Sequence, residues 1–235
     1  MPYFGIYGID MYYIVLVVPC ILLAMWAQFQ VKSTFNRYAQ VRNQHGITGA
    51  QAAAAVLQQN GVRDVRIERV GGNLTDHYDP RDNVIRLSDS VYSSCSVASV
   101  GVAAHEAGHA VQYATGYGPI RLRAVIIPVT QLGSTAAFPL LLLGLFLNAK
   151  IFVTIGILAF ALSTVFQLVT LPVEINASRR GLAAIENGGL LTEDEYPMAK
   201  KTLTAAAMTY VAALATSLAQ LLRLLLLFGG RNRND

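Results

Sequence analysis

His105-Glu106-Ala107-Gly108-His109 is the segment of this 235-residue chain whose residue types and spacing demand a chemical explanation. On a helix, positions i and i+4 lie one above the other, so both imidazoles face one point and can offer nitrogen lone pairs to a single zinc ion. Glu106 sits one residue round from His105. From there its carboxylate can reach a zinc-activated water without being a ligand, take its proton and pass it to a leaving amine. Ala107 and Gly108 are small, which lets a neighbouring helix come close enough to supply a further ligand. The competing reading is a helix with two unconnected histidines and a solvated Glu. It is the weaker one, because the chain has four histidines and two stand in this spacing.

A catalytic zinc takes three protein ligands and keeps a fourth position open for water. No Cys or His follows His109, so the third ligand is sought among Glu174, Glu186, Glu193, Asp194, Glu195 and Asp235. Two apolar runs separate His109 from Glu174, which returns Glu174 to the membrane face of the motif and places it just past the end of a span. Glu186 and the Glu193–Glu195 cluster fall in a Gly188-Gly189 and Pro197 region that reads as a solvated loop. A role for Glu174 as an interfacial ion-pair partner of Arg179 or Arg180 stays open beside the ligand role. His77 and Tyr78 are candidate donors to a developing oxyanion, although as a pair flanking a turn they have a plainer structural reading.

The elements that must position these residues lie largely in a bilayer. The chain is 54% hydrophobic and 14% charged, well below the roughly 25% charged residues of a soluble domain, and the shortfall is concentrated in long apolar runs. The first, at about 11 to 31, is long enough to span at ~20 residues and has no cleavage signature, so 1–31 is predicted to be an N-terminal transmembrane anchor. Runs near 125 to 147 and 151 to 171, split only by Asn148, Ala149 and Lys150, predict a transmembrane helical hairpin over 125–171. A last run starting near Leu203 is interrupted by Arg223, so 203–235 is predicted to hold a transmembrane or interfacial helix and a tail.

Basic residues near spans stay on the cytoplasmic side. Lys32, Arg37, Arg42, Arg121, Arg123, Arg179, Arg180, Lys200 and Lys201 share one side of the first three spans, against Lys150 on the other; Arg231 and Arg233 join Lys150 if the fourth run crosses. Residues 32–124, carrying the motif, and 172–202, carrying Glu174, are therefore expected in the cytoplasm. Within 32–124, Thr48 and Gln51 form a capping box for a helix that Asn60-Gly61 stops. Strands are predicted at Val62–Val70 and Val84–Ser88, and a helix from about Val97 to Tyr113. The edge of the second strand is a possible platform for an extended peptide. The fold class is thus mainly α, a multi-span membrane protein with a small cytosolic α+β unit.

Three segments together resemble a known family: His105-Glu106-Ala107-Gly108-His109-Ala110-Val111-Gln112, Leu171-Pro172-Val173-Glu174-Ile175-Asn176-Ala177-Ser178-Arg179-Arg180, and Thr75-Asp76-His77-Tyr78-Asp79-Pro80. They look like the bacterial membrane-bound neutral zinc metallopeptidases, the YugP-like group, over nearly the whole chain. More distantly the chain is similar to gluzincins of the HtpX and CAAX-protease type. In those an Asp four residues after the Glu often orients a ligand His; here that position is Ser178, which implies an uncharged supporting contact.

The resemblance implies zinc as cofactor, a catalytic unit of gluzincin type, and a multi-pass protein of the bacterial inner membrane with its active site facing the cytoplasm. Its substrate would be a peptide or membrane protein, with room for a membrane-protein adaptor or a homo-oligomer. Two other readings are kept. One is a non-catalytic membrane scaffold or chaperone with a metal site, against which the intact Glu106 argues. The other is a site-2-type intramembrane protease, whose later Leu-Asp-Gly is absent. No Gly-x-x-x-x-Gly-Lys-Ser/Thr occurs, which excludes an ATP-driven protease on this chain. No Lys/Arg cluster interleaves with aromatics, which argues against nucleic acid.

Overall fold

Four stretches of apolar side chains are too long for any small core to bury, and each becomes a helix long and apolar enough to cross a membrane: α1 (Tyr13–Tyr38), α5 (Gly118–Phe146), α6 (Lys150–Asn187) and α7 (Tyr196–Phe228). The computed structural model describes residues 10–229, so Arg231, Arg233 and Asp235 lie outside the described residues. Between the first two long helices come α2 (Gly49–Gln59), β1 (Arg66–Val70), β2 (His77–Asp79), β3 (Val84–Ser88), a single turn α3 (Asp89–Tyr92) and α4 (Val97–Ala114). The fold is mainly helical with a small sheet, as the sequence predicts.

The chain divides into two units. One holds the residues up to Ala27, Leu122–Leu171 and those from Thr209 on. Within it, Asn148, at φ +50°, turns α5 back into α6. Gly144 and Gly156 let the two backbones approach: a Cβ on Gly144 would lie 2.7 Å from the Val153 nitrogen, and one on Gly156 would lie 3.1 Å from the Ala137 carbonyl oxygen. Small residues at a crossing are the usual device for packing helices in lipid. Hydroxyls add links, with Thr164 Oγ1 and Ser217 Oγ 2.7 Å apart between α6 and α7.

Arg223 does not interrupt the fourth run, and α7 continues through it to Phe228. Its charge is met by Asp10, whose Oδ2 accepts from Nε at 2.8 Å and from Nη2 at 2.5 Å, while the guanidinium stacks over Tyr13. An arginine near an apolar core is expensive alone; a paired one is tolerated without breaking the helix.

The second unit, Gln28–Arg121 with Pro172–Met208, contains His105, Glu106, His109 and Glu174. Thr48 caps α2 as expected: its Oγ1 accepts from Gln51 N at 3.2 Å and its own N–H donates to Gln51 Oε1 at 2.8 Å. The helix ends where Gly61 takes φ +68°. The sheet order is β1-β3-β2, with β1 parallel and β2 antiparallel to β3. The first strand is shorter than predicted, because Val62–Val65 remain outside the ladder.

The expectation that β3 offers a free edge is corrected. β3 is the central strand, paired on both sides, with Val84, Ile85, Leu87 and Ser88 all buried. The edge beside α4 belongs to β2, which the sequence shows only as the flank of a turn. Glu195 is corrected as well. Far from solvated, the residue is 4% exposed and its carboxylate accepts from the Gln44 and Thr192 backbone N–H groups, closing the loop ahead of α7.

Alanine- and valine-rich faces of α2 and α4 pack together over the sheet, with Ala52, Ala53, Val56, Val100, Ala103 and Ala107 fully buried. On its other side α4 meets the part of α6 from Pro172 onward at backbone-to-backbone distance. A Cβ on Gly108 would fall 2.4 Å from the Ala177 carbonyl oxygen, and one on Gly181 would fall 2.7 Å from that of Ala104. Since a main-chain carbonyl cannot rotate away, Gly108→Ala must push the two helices apart. The expected cost is about 1–3 kcal/mol of stability, the range for overpacking, together with loss of zinc retention. Thermal unfolding and zinc content of the purified variant check this; a wild-type melting temperature with full zinc would contradict it.

Candidate metal centre

Ser96 starts α4 by accepting the Ser99 N–H at 3.1 Å on its hydroxyl, and the small residues that follow bury the helix nearly all round. His105 and His109 then stand one turn apart, their rings edge to face at 81° with centroids 4.7 Å apart. Both turn Nε2 toward one oxygen: Glu174 Oε2 lies 3.3 Å from His105 Nε2 and 3.4 Å from His109 Nε2. The three residues form the group of donors able to hold a metal ion among the described residues, with all ligand atoms within 4.8 Å of one another.

These distances test the fit to zinc. Ligand atoms held tetrahedrally about 2.0–2.2 Å from one ion are separated from each other by roughly 3.3–3.6 Å, and both histidine-to-glutamate separations fall there. The donor chemistry agrees as well, two imidazole nitrogens and a carboxylate being a set that zinc accepts. Glu174 is 2% exposed, and a carboxylate taken so far from water needs positive charge beside it.

Each imidazole is held from behind. Ser178 Oγ lies 3.0 Å from His105 Nδ1, at the position where the sequence places an uncharged supporting group. Gln112 Oε1 lies 3.0 Å from His109 Nδ1. Sequence reasoning missed Gln112 and its partner Asn176; the available signal was a polar residue three positions after His109, on a helix whose neighbours are all apolar. Glu106 is buried beside His105 yet is not among the three clustered donors.

The electrostatics follow from burial. Loss of water alone would push His109 down, but the hydrogen bond that Glu174 accepts from it and the charges of Glu106 and Glu174 outweigh it, so the imidazole is raised above its ordinary value. Asp76 faces the same region. Burial raises its carboxyl, bonds from Ser88 N–H and Oγ oppose this, and the Glu106 charge raises it further.

The other predicted residues are not among the three clustered donors. His77 is exposed on β2, with Nδ1 2.8 Å from the Thr75 carbonyl oxygen. Tyr78 donates its hydroxyl to Asn83 Oδ1 at 2.7 Å and packs its ring against Tyr113. Arg179 is exposed, whereas Arg180 donates to Asn176 Oδ1 and covers the Tyr117 ring.

Residues 13–229 match the family described as "putative neutral zinc metallopeptidase". The chain is 44% identical over 225 residues, covering 95% of its length and 100% of the relative's, to the "putative membrane protease YugP" of Bacillus subtilis (strain 168). No solved structure matches it.

Proposed function

The chain belongs to the family of putative neutral zinc metallopeptidases, and from that premise we propose that it is a zinc-dependent membrane endopeptidase of gluzincin type in which His105, His109 and Glu174 hold the metal and Glu106 is the general base. The observation that carries the reading is the pair of 3.3 and 3.4 Å separations around Glu174 Oε2, beside a carboxylate, Glu106, that is not one of the donors. When bound, zinc supplies Lewis acidity, polarising a carbonyl and lowering the pKa of a water toward ~7.

The remaining work falls to the side chains. His105 and His109 present Nε2 while Ser178 and Gln112 hold their Nδ1 atoms. Glu106 takes the proton of the attacking water and delivers it to the departing amine, so that one carboxylate serves as base and then as acid. His77 and Tyr78 receive no part in this scheme, since the Tyr78 hydroxyl is engaged by Asn83. A scaffold that used the metal only for structure would close its fourth position and would need no Glu106. The peptide or membrane-protein substrate meets the site at the cytoplasmic face, a placement supported by the nine Lys and Arg flanking the first three spans on one side against Lys150 on the other.

Glu106→Gln is expected to keep a full zinc equivalent while peptide hydrolysis falls about 10²–10⁴-fold, the usual contribution of a general base. Hydrolysis at the wild-type rate by that variant, measured on a model membrane substrate, would remove Glu106 from the role. For the orientation, a single cysteine at Asn148, in a background lacking Cys20 and Cys95, is expected to react with an impermeant thiol reagent in intact cells. Labelling at Asp82 in its place would invert the topology.

A further inference from the structure

We propose that Arg180, Asn176 and Gln112 form a hydrogen-bond relay, with Arg180 and Gln112 both donating to Asn176 Oδ1, that locks His109 in the tautomer whose Nε2 lone pair faces Glu174, making Gln112 a positioning residue of the centre. The inference rests on the ligand assignment above and adds what holds one ligand in its bonding form.

Asparagine and glutamine amides are ordinarily ambiguous, because their oxygen and nitrogen look alike. Here the partners remove the ambiguity. A guanidinium has donors only and keeps its charge, so Arg180 Nε, 2.8 Å from Asn176, must face the amide oxygen Oδ1. Gln112 Nε2 lies 3.0 Å from that same Oδ1 and 2.8 Å from the Val173 carbonyl oxygen. Both are acceptors, so the amide nitrogen of Gln112 is committed to them and its Oε1 is left facing His109 Nδ1 at 3.0 Å. A carboxamide oxygen can only accept. His109 Nδ1 therefore carries the hydrogen, and in the neutral ring Nε2 carries the lone pair, aimed at Glu174 Oε2 3.4 Å away.

Two features make the relay specific to this histidine. Gln112 has no exposed surface, so no bulk water can replace a lost partner, and an unmet buried amide is costly. His105, by contrast, is backed by the Ser178 hydroxyl, which can donate or accept and so dictates neither tautomer. Gln112 also grips α6 at Val173, the residue before Glu174. One buried side chain on α4 thereby fixes the ring of one ligand and the backbone that carries another.

The test uses the full chain purified in detergent, with zinc affinity read by competition against a chromophoric chelator. Gln112→Met and Asn176→Leu are each expected to weaken zinc about 10–100-fold, as loss of an outer partner does at other sites. Asn176→Asp still accepts from both Arg180 and Gln112, so it should stay near wild type. A second measurement needs no metal: ¹⁵N spectra of histidine-labelled, metal-free wild type at alkaline pH, with His109 assigned by its absence in His109→Asn, should show the Nδ1–H form. Without the relay, the Glu174 carboxylate 3.4 Å away would draw the hydrogen to Nε2. An Nε2–H form in the wild type, or wild-type zinc affinity in Gln112→Met, overturns the relay. Should the wild type show the Nδ1–H form yet bind no zinc, the relay stands and the metal assignment is what fails.

Discussion

The buried carboxylate of Glu174 between two imidazoles is the constraint that the rest of the catalytic unit satisfies. At 2% exposure it has lost its water, and only positive charge within about 3–4 Å can offset that loss. Two histidines one helical turn apart turn their Nε2 atoms to that carboxylate, so a metal ion held between them would supply it. For their nitrogens to reach one oxygen, α4 and α6 must run closer than ordinary side chains allow. Gly108 and Gly181 provide the clearance, each lying against a main-chain carbonyl of the opposite helix. The polar atoms admitted at that crossing are then engaged in turn, His105 by Ser178 and His109 by Gln112. In a site assembled in this way every group depends on the one next to it.

Much of this arrangement could be read from the residues alone, and the parts that could not share a cause. The i, i+4 histidines, the capping box at Thr48 and Gln51 and the apolar runs are local signals, set by periods of a few residues, and all three reappear as helices in the expected places. Small residues next to the motif announced a close neighbour, and Gly108 proves to be where that neighbour arrives. What stayed hidden depends on pairings between distant segments. His77–Asp79 is too short to show a strand period and becomes β2 only because β3 lies beside it. The Arg223 charge looked like a break because its partner, Asp10, lies at the other end of the chain. Glu195 looked solvated in a Gly- and Pro-punctuated stretch, but its oxygens are held by the Gln44 and Thr192 N–H groups.

Gln112 is the most instructive omission. Its position three residues after His109 places it a turn further along the helix, yet by sequence alone it could equally have been a solvated polar residue. Its role exists only because Val173 and Asn176 on α6 accept from its amide. The two helices thus recognise each other through a donor and acceptor pattern as well as through shape, and the same contacts that specify the packing specify the chemistry of a ligand.

X-ray absorption at the zinc edge on the zinc-loaded protein reads the identity of the three donors most directly. One zinc per chain is expected, in a four-coordinate shell of two imidazole nitrogens and oxygen donors at about 2.0–2.2 Å, with the oxygen contribution reduced in Glu174→Ala. A sulfur ligand, a third imidazole, or a spectrum unchanged in Glu174→Ala would contradict it.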